Sequence, residues 1–230
     1  MPKYGPTMGF GGLHKFRVAK HRVEFLADGV FAIVMTLLVL ELKVPELPRH
    51  VNASGLLHEL LQLGPVFFAF FITFLLSGSY WFLHNLSMEF VKHADQKLSF
   101  INLGFLFFVA LFPFSTALLG HFLGNPAAQA TYFLNQFGAA SFLMLNWRYA
   151  RAASLLAPVE PEMERRLSTQ LRGLAMGALA AALCATVAPH QSFLVMIFVL
   201  LGNRAVARWR APKPAPSQAG SETVGLDAGG

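Results

Sequence analysis

The stretch RVEFLADGVFAIVMTLLVLELKVP, residues 22–45, decides how the rest of the chain is read. A helix needs about 20 predominantly apolar residues to cross the hydrocarbon core of a bilayer. Between Asp28 and Glu41 only the twelve residues Gly29 to Leu40 are uncharged. A spanning helix here therefore takes Asp28, and with it Glu24 or Glu41, to or inside the membrane boundary. An acid at that depth is costly and normally faces a bundle interior or a water-filled path. The other apolar runs are greasier, so this segment is the one expected to be packed inside, lining whatever the protein encloses.

Working outward, the composition says membrane. Of the 230 residues, 55% are hydrophobic and only 13% are charged, whereas a soluble domain carries about 25% charged residues. With several long apolar runs this implies a polytopic all-α membrane protein. The net charge of +6 would suggest nucleic acid in a soluble protein. Here the basic residues sit between apolar runs, which fits membrane topology instead. The single Cys184 lies in an apolar run, so neither a disulfide framework nor a paired-cysteine metal site is expected. No histidine pair has zinc-ligand spacing, and no metal or cofactor is assigned. Phosphate-binding glycine loops, nucleophile elbows and regular Arg-x-x-Arg spans are absent from the sequence. An enzyme and a voltage sensor are thereby disfavoured.

Apolar periodicity and helix breakers divide residues 22–210 into six spans. The first runs from about Val23 to Val44 and stops at Pro45, which cannot continue a helix. The second covers Leu56 to Asn85 with a kink expected at Gly64-Pro65, and a polar loop follows from Met88 to Lys97. The third covers Leu98 to Phe122, with Pro113 in its second half, and the fourth Ala127 to Tyr149. A long charged connection, helical from Glu162, leads to the fifth at Gly173 to Ala188. The sixth is Ser192 to Ala207. Residues 1–21 read as a flexible basic leader without the apolar core of a signal peptide, so the first helix is expected to be an uncleaved anchor. Residues 211–230 read as a disordered tail rich in Pro, Ala, Ser and Gly.

Six spans put both termini on one side. Sixteen of the eighteen Lys and Arg residues fall in the leader, the second-to-third loop, the fourth-to-fifth loop and the tail. Only Lys43 and Arg49 fall on the other side. The positive-inside rule then places both termini in the cytoplasm, with the chain in the cell's inner (plasma) membrane.

Arg22, Leu26, Ala27 and Asp28, followed by Gly29 to Ile33 and Thr36 to Glu41, resemble a longer signature. Arg-x-x-x-Phe-Ser-Asp, then Gly-Val-Phe-Ala-Ile and an apolar run ending in Glu, marks the transmembrane protein 175 family, the endosomal and lysosomal potassium channels and their bacterial relatives. Leu26 stands where the family has phenylalanine, and Ala27 where it has serine. A Trp-x-x-His at Trp81 and His84 and a Pro-Phe at Pro113 and Phe114 are weaker parts of the likeness. The resemblance implies a potassium-permeable cation channel. The family's animal members carry two six-helix repeats per chain, so a single set implies a homotetramer, with helix 1 lining a central pore.

Ile33, Leu37 and Leu40 form one stripe of helix 1, at i, i+4 and i+7. Periodicity alone reads this as ordinary packing. The resemblance implies a pore lining, with the apolar residue five positions after the motif aspartate, Ile33, at the tightest constriction. Four such residues around an axis block ions when narrow, because a narrow apolar pore dewets. Thr36 lies close to the same face and could offer an oxygen to a passing potassium ion or bond back to its own helix. Without a Thr-Val-Gly-Tyr-Gly filter, selectivity is expected to be modest, with other monovalent cations also permeant. Glu41 would concentrate cations at the pore mouth, or would simply be a solvated acid offset by Lys43. Arg22 and Asp28, six residues apart, are about 600° round a helix and share no face. Each is expected to meet another helix, with Trp81 and His84 as partners in a network. Two other readings stay open: a proton- or ion-coupled transporter in which Asp28 and His84 change protonation, and a membrane scaffold without transport.

Overall fold

The computed structural model describes residues 17–46 and 52–197. Among these, the helices are α1 (Lys20–Leu38), α2 (Ala53–Gln62), α3 (Gly64–Glu89), α4 (Gln96–Ala110), α5 (Phe112–His121), α6 (Pro126–Ala152) and α7 (Pro161–Val187). Two short strands, β1 (Arg17–Val18) and β2 (Ala94–Asp95), pair antiparallel with Arg17 opposite Asp95. Among the described residues, four segments are long and apolar enough to cross a membrane: Lys20–Glu41, Gly64–Glu89, Gln96–His121 and Pro161–Val187. The 27 residues of α6 reach about 40 Å, but α6 is not among the four segments apolar enough to span. The sixth expected span begins at Ser192 and lies outside the described residues from position 198 onward, as do the tail and residues 1–16 of the leader.

Local chemistry accounts for the element ends, and several differ from the sequence expectation. Helix α1 starts earlier and stops sooner than Val23 to Val44. It begins at Lys20, directly after the strand that pins the end of the leader, and tightens into a 3₁₀ turn at Val39–Glu41 before Pro45. The second expected span is two helices broken at Leu63, with Pro65 in the first turn of α3. The third is likewise broken at Leu111, with Pro113 in the first turn of α5. In both cases proline lacks the N–H that a continuous helix needs, and the first turn is the place where that loss costs nothing. The charged connection before the fifth span is shorter than expected. Helix α7 runs unbroken from Pro161 to Val187, with Glu162 and Glu164 in its first turn, where the helix dipole favours acids. Asn52, Asp95 and Asn125 cap α2, α4 and α6 by accepting backbone N–H bonds at 2.7–2.8 Å.

The loop between α3 and α4 is more structured than its polar sequence suggests. Asp95 accepts the Leu98 N–H through one carboxylate oxygen and the Tyr149 hydroxyl, at 2.6 Å, through the other. Lys97 lies 5.0 Å from the centre of the Tyr149 ring. This loop thus ties the start of α1, through β1, to the ends of α4 and α6.

The core is built from one side of α1 and the inner faces of α3 to α7. Ala27, Phe31 and Val34 pack with Tyr80, Phe105, Val109, Leu143 and Leu171. Helices α4 and α6 interlock through two glycines. A Cβ at Gly104 would stand 2.2 Å from the Phe142 ring, and one at Gly138 would stand 2.3 Å from the Phe108 ring. Each helix thus lays a phenylalanine in the groove the other's glycine leaves, and the two rings meet with centroids 5.6 Å apart. A band of polar bonds lies deeper. Thr116 donates to Thr73 at 2.9 Å, Thr73 and Tyr132 are 3.1 Å apart, and Tyr80 donates to the Gln136 carbonyl at 2.9 Å. The polar character of α6 is thus turned inward, where Asn135, Gln136 and Asn146 are all buried.

Gly138→Ala should lower the apparent unfolding temperature of the detergent-solubilised protein, at a cost of about 1–3 kcal/mol for overpacking. Combining it with Phe108→Leu should recover part of the loss. Strict additivity of the two changes would contradict the interlock.

Candidate functional site

Helix α1 is covered on one side only. Val23, Ala27, Phe31, Val34 and Leu38 are buried within the protomer. On the other side Ile33 is 60% exposed, Leu37 41% and Leu40 66%. Gly29, Ala32 and Thr36 are uncovered with them, and a Cβ at Gly29 would meet nothing within 4 Å. The uncovered face therefore combines apolar side chains with small and hydroxyl-bearing residues. Helix α3 also leaves apolar residues uncovered, but these are the bulky Phe67, Phe71, Phe74 and Phe82. The Thr36 hydroxyl donates to the Ile33 carbonyl, three residues back in its own helix, at 2.8 Å. That bond uses its proton and leaves the oxygen lone pairs free to face outward.

At the leader end of α1, the Trp81 indole nitrogen donates to Asp28 Oδ1 at 2.8 Å. Asp28 and Trp81 line a groove of about 560 Å³ between α1 and α3, together with Lys20, Glu24, Asn85 and Glu89. Lys20 sits 3.4 Å from Glu24 and from the Glu89 carbonyl. No hydrogen bond joins Asp28 to His84. His84 is buried, with Nε2 2.8 Å from Asn102 Oδ1 and its ring stacked 5.4 Å from Phe105. Arg22 is exposed and bonds to none of Asp28, Trp81 or His84. The four motif residues thus form one direct pair, one buried neighbour held by α4, and one outlying arginine. Glu41 ends the 3₁₀ turn, half-buried and without an ion pair among the described residues.

The two departures from the family signature fall on opposite faces. Ala27 is fully buried in the core, and Leu26 is 48% exposed on the uncovered face. Asn102 was legible only as a polar residue within a span. Its partnership with His84 depends on how α3 and α4 rotate against each other, and no sequence signal carries that.

Comparison with known proteins places the chain in a family. A profile of the family described as the endosomal/lysosomal potassium channel TMEM175 matches residues 22–113. A potassium channel of Streptomyces collinus is 37% identical over 142 residues, 60% of this chain and 68% of that protein. A potassium channel of Chamaesiphon minutus is 36% identical over 138 residues, 59% of this chain and 68% of that protein. The crystal structure of a lysosomal potassium-selective channel TMEM175 homolog from Chamaesiphon minutus superposes with a TM-score of 0.70 at 28% identity. That match covers 82% of this chain and 97% of the homolog. Fold, apolar spans and matches together define a membrane-embedded helical protein of the ion-channel class. The chain belongs to the TMEM175 family of potassium channels.

Trp81→Phe keeps the ring but removes the donor to Asp28. It should cost about 1–2 kcal/mol, seen as a lower unfolding midpoint. Asp28→Asn, which keeps an acceptor, should cost less than Asp28→Ala.

Proposed function

We propose that this protein is a potassium-permeable cation channel, with four copies of α1 arranged round a central axis and K+ and other monovalent cations as the permeant ions. The observation that carries the reading is the uncovered face of α1. One side of the helix completes the protomer core, while Ile33, Thr36, Leu37 and Leu40 are left uncovered. Small residues on that face permit close approach of symmetry-related helices. The relatives' potassium-channel names support the same conclusion.

In this arrangement Ile33 forms the narrowest ring, with Leu37 and Leu40 beyond it. A ring of this kind is a barrier while narrow, because water and ions leave a tight apolar pore. Thr36 sets a modest preference for potassium by offering its hydroxyl oxygen, already oriented by the bond to Ile33 O. Glu41 gathers cations at the mouth. Asp28 and Trp81 hold α1 against α3 and so control how far the ring opens, with Arg22 and His84 as the outer and inner neighbours of that contact. Each subunit contributes six spans, both termini lie in the cytoplasm and the channel sits in the plasma membrane, as the sixteen-to-two division of basic residues argues.

The coupled-transporter reading is not favoured, since Asp28 and His84 bond to different helices. The scaffold reading is not favoured either, since it leaves the uncovered face of α1 without a use.

The test is Ile33→Asn in planar bilayers and liposomes, with assembly followed by light scattering. The expected result is an intact tetramer with raised conductance and weakened discrimination between potassium and sodium. Unchanged conduction, or loss of assembly with Ile33→Ala as well, would remove Ile33 from the pore. Thr36→Val should move the reversal potential under opposed potassium and sodium toward zero while leaving the conducting state intact.

A further inference from the structure

Helices α6 and α7 meet over a cavity of about 300 Å³ at the end of α6 farthest from Pro126. Its lining is Met144, Trp147, Arg148, Arg151, Ser168 and Arg172. Three arginines from two helices line it, and no acid does. Arg151 is already engaged, donating from Nη1 to Glu164 Oε1 at 2.7 Å. Arg172 gives only Nε to the Ser168 backbone carbonyl, at 3.1 Å. Arg148 is exposed and has no ion pair among the described residues. The wall is amphipathic: the buried Trp147 ring donates its N–H to the Ser168 hydroxyl at 2.9 Å, and Met144 continues the apolar side.

The depth of the site narrows its ligand. Arg148 and Arg151 stand where the apolar body of α6 ends, and Arg172 stands where that of α7 begins. This is the headgroup level of a bilayer, on the side that the division of basic residues assigns to the cytoplasm. A phosphate group supplies the acceptor oxygens that Arg148 and the terminal nitrogens of Arg172 lack, in a geometry guanidinium groups match. The Trp147 and Met144 wall suits the glycerol and first methylenes attached to it. Arginines serving only to orient the chain need not converge on one cavity. We infer that this cavity is a binding site for the phosphate of an anionic membrane lipid, held by Arg148 and Arg172 from two helices. The site lies outside the uncovered face of α1, and its occupancy does not depend on how the protein conducts ions.

The experiment uses the full chain in phosphatidylcholine nanodiscs containing phosphatidylglycerol, with the lipids retained per chain counted by native mass spectrometry after mild release. The expected result is selective retention of one phosphatidylglycerol per chain. Arg148→Gln should weaken it about fivefold, and the pair with Arg172→Gln by about fivefold again. Arg165→Gln, an exposed arginine of α7 outside the cavity, should change nothing. Arg148 makes no structural bond, so its single variant reads binding rather than folding. Equal retention by the wild type and the double variant would overturn the site. A saturable tryptophan-fluorescence response to inorganic phosphate in detergent, lost in Arg148→Gln and unaccompanied by any phosphatidylglycerol preference, would overturn the lipid as its source.

Discussion

A carboxylate near hydrocarbon needs a donor, and Asp28 has one in the Trp81 indole. That bond fixes the rotation of α1. Once Asp28 is turned toward α3, Ile33 and Leu37, five and nine residues on, stand about 140° and 180° round the helix. They point away from the protomer, while Phe31 and Val34 turn into its core. One polar contact and one apolar face therefore orient the helix together. The first contributes direction, and the second contributes most of the stabilising burial.

The rest of the protomer acts as a rigid backing for that helix. The reciprocal placement of Phe142 over Gly104 and Phe108 over Gly138 lets α4 and α6 approach closely. In a membrane, where lipid is as apolar as leucine, such packing and the polar bonds among Thr73, Thr116 and Tyr132 are what hold helices together. The Asp95 hub adds a link outside the apolar body, joining the strand before α1 to the ends of α4 and α6.

Much of this was legible along the chain, for reasons that differ by element. Pro65 announced where the second span would bend, because a missing N–H acts locally whatever surrounds it. The break at Leu63 was expected only as a kink within a single helix, and the break at Leu111 was not expected although Pro113 was in view, since sequence marks the defect and not its depth. The charged run from Glu162 was read as a lead-in, whereas ion pairs from Arg166 to Glu162 and from Arg151 to Glu164 make it the first turns of one continuous helix. The pairing of β1 with β2 was invisible, because two-residue strands have no periodicity to read.

The sequence by itself determined a membrane-embedded helical protein, its family and the segment whose acids make it unsuited to lipid, because hydropathy and a spaced motif are properties of the chain alone. Only the tertiary structure decided which side of α1 is covered, that Asp28 bonds Trp81 while His84 bonds Asn102, and that arginines from α6 and α7 share a cavity. Those facts depend on helix rotation, which is set by the sum of many packing contacts between residues far apart in the chain.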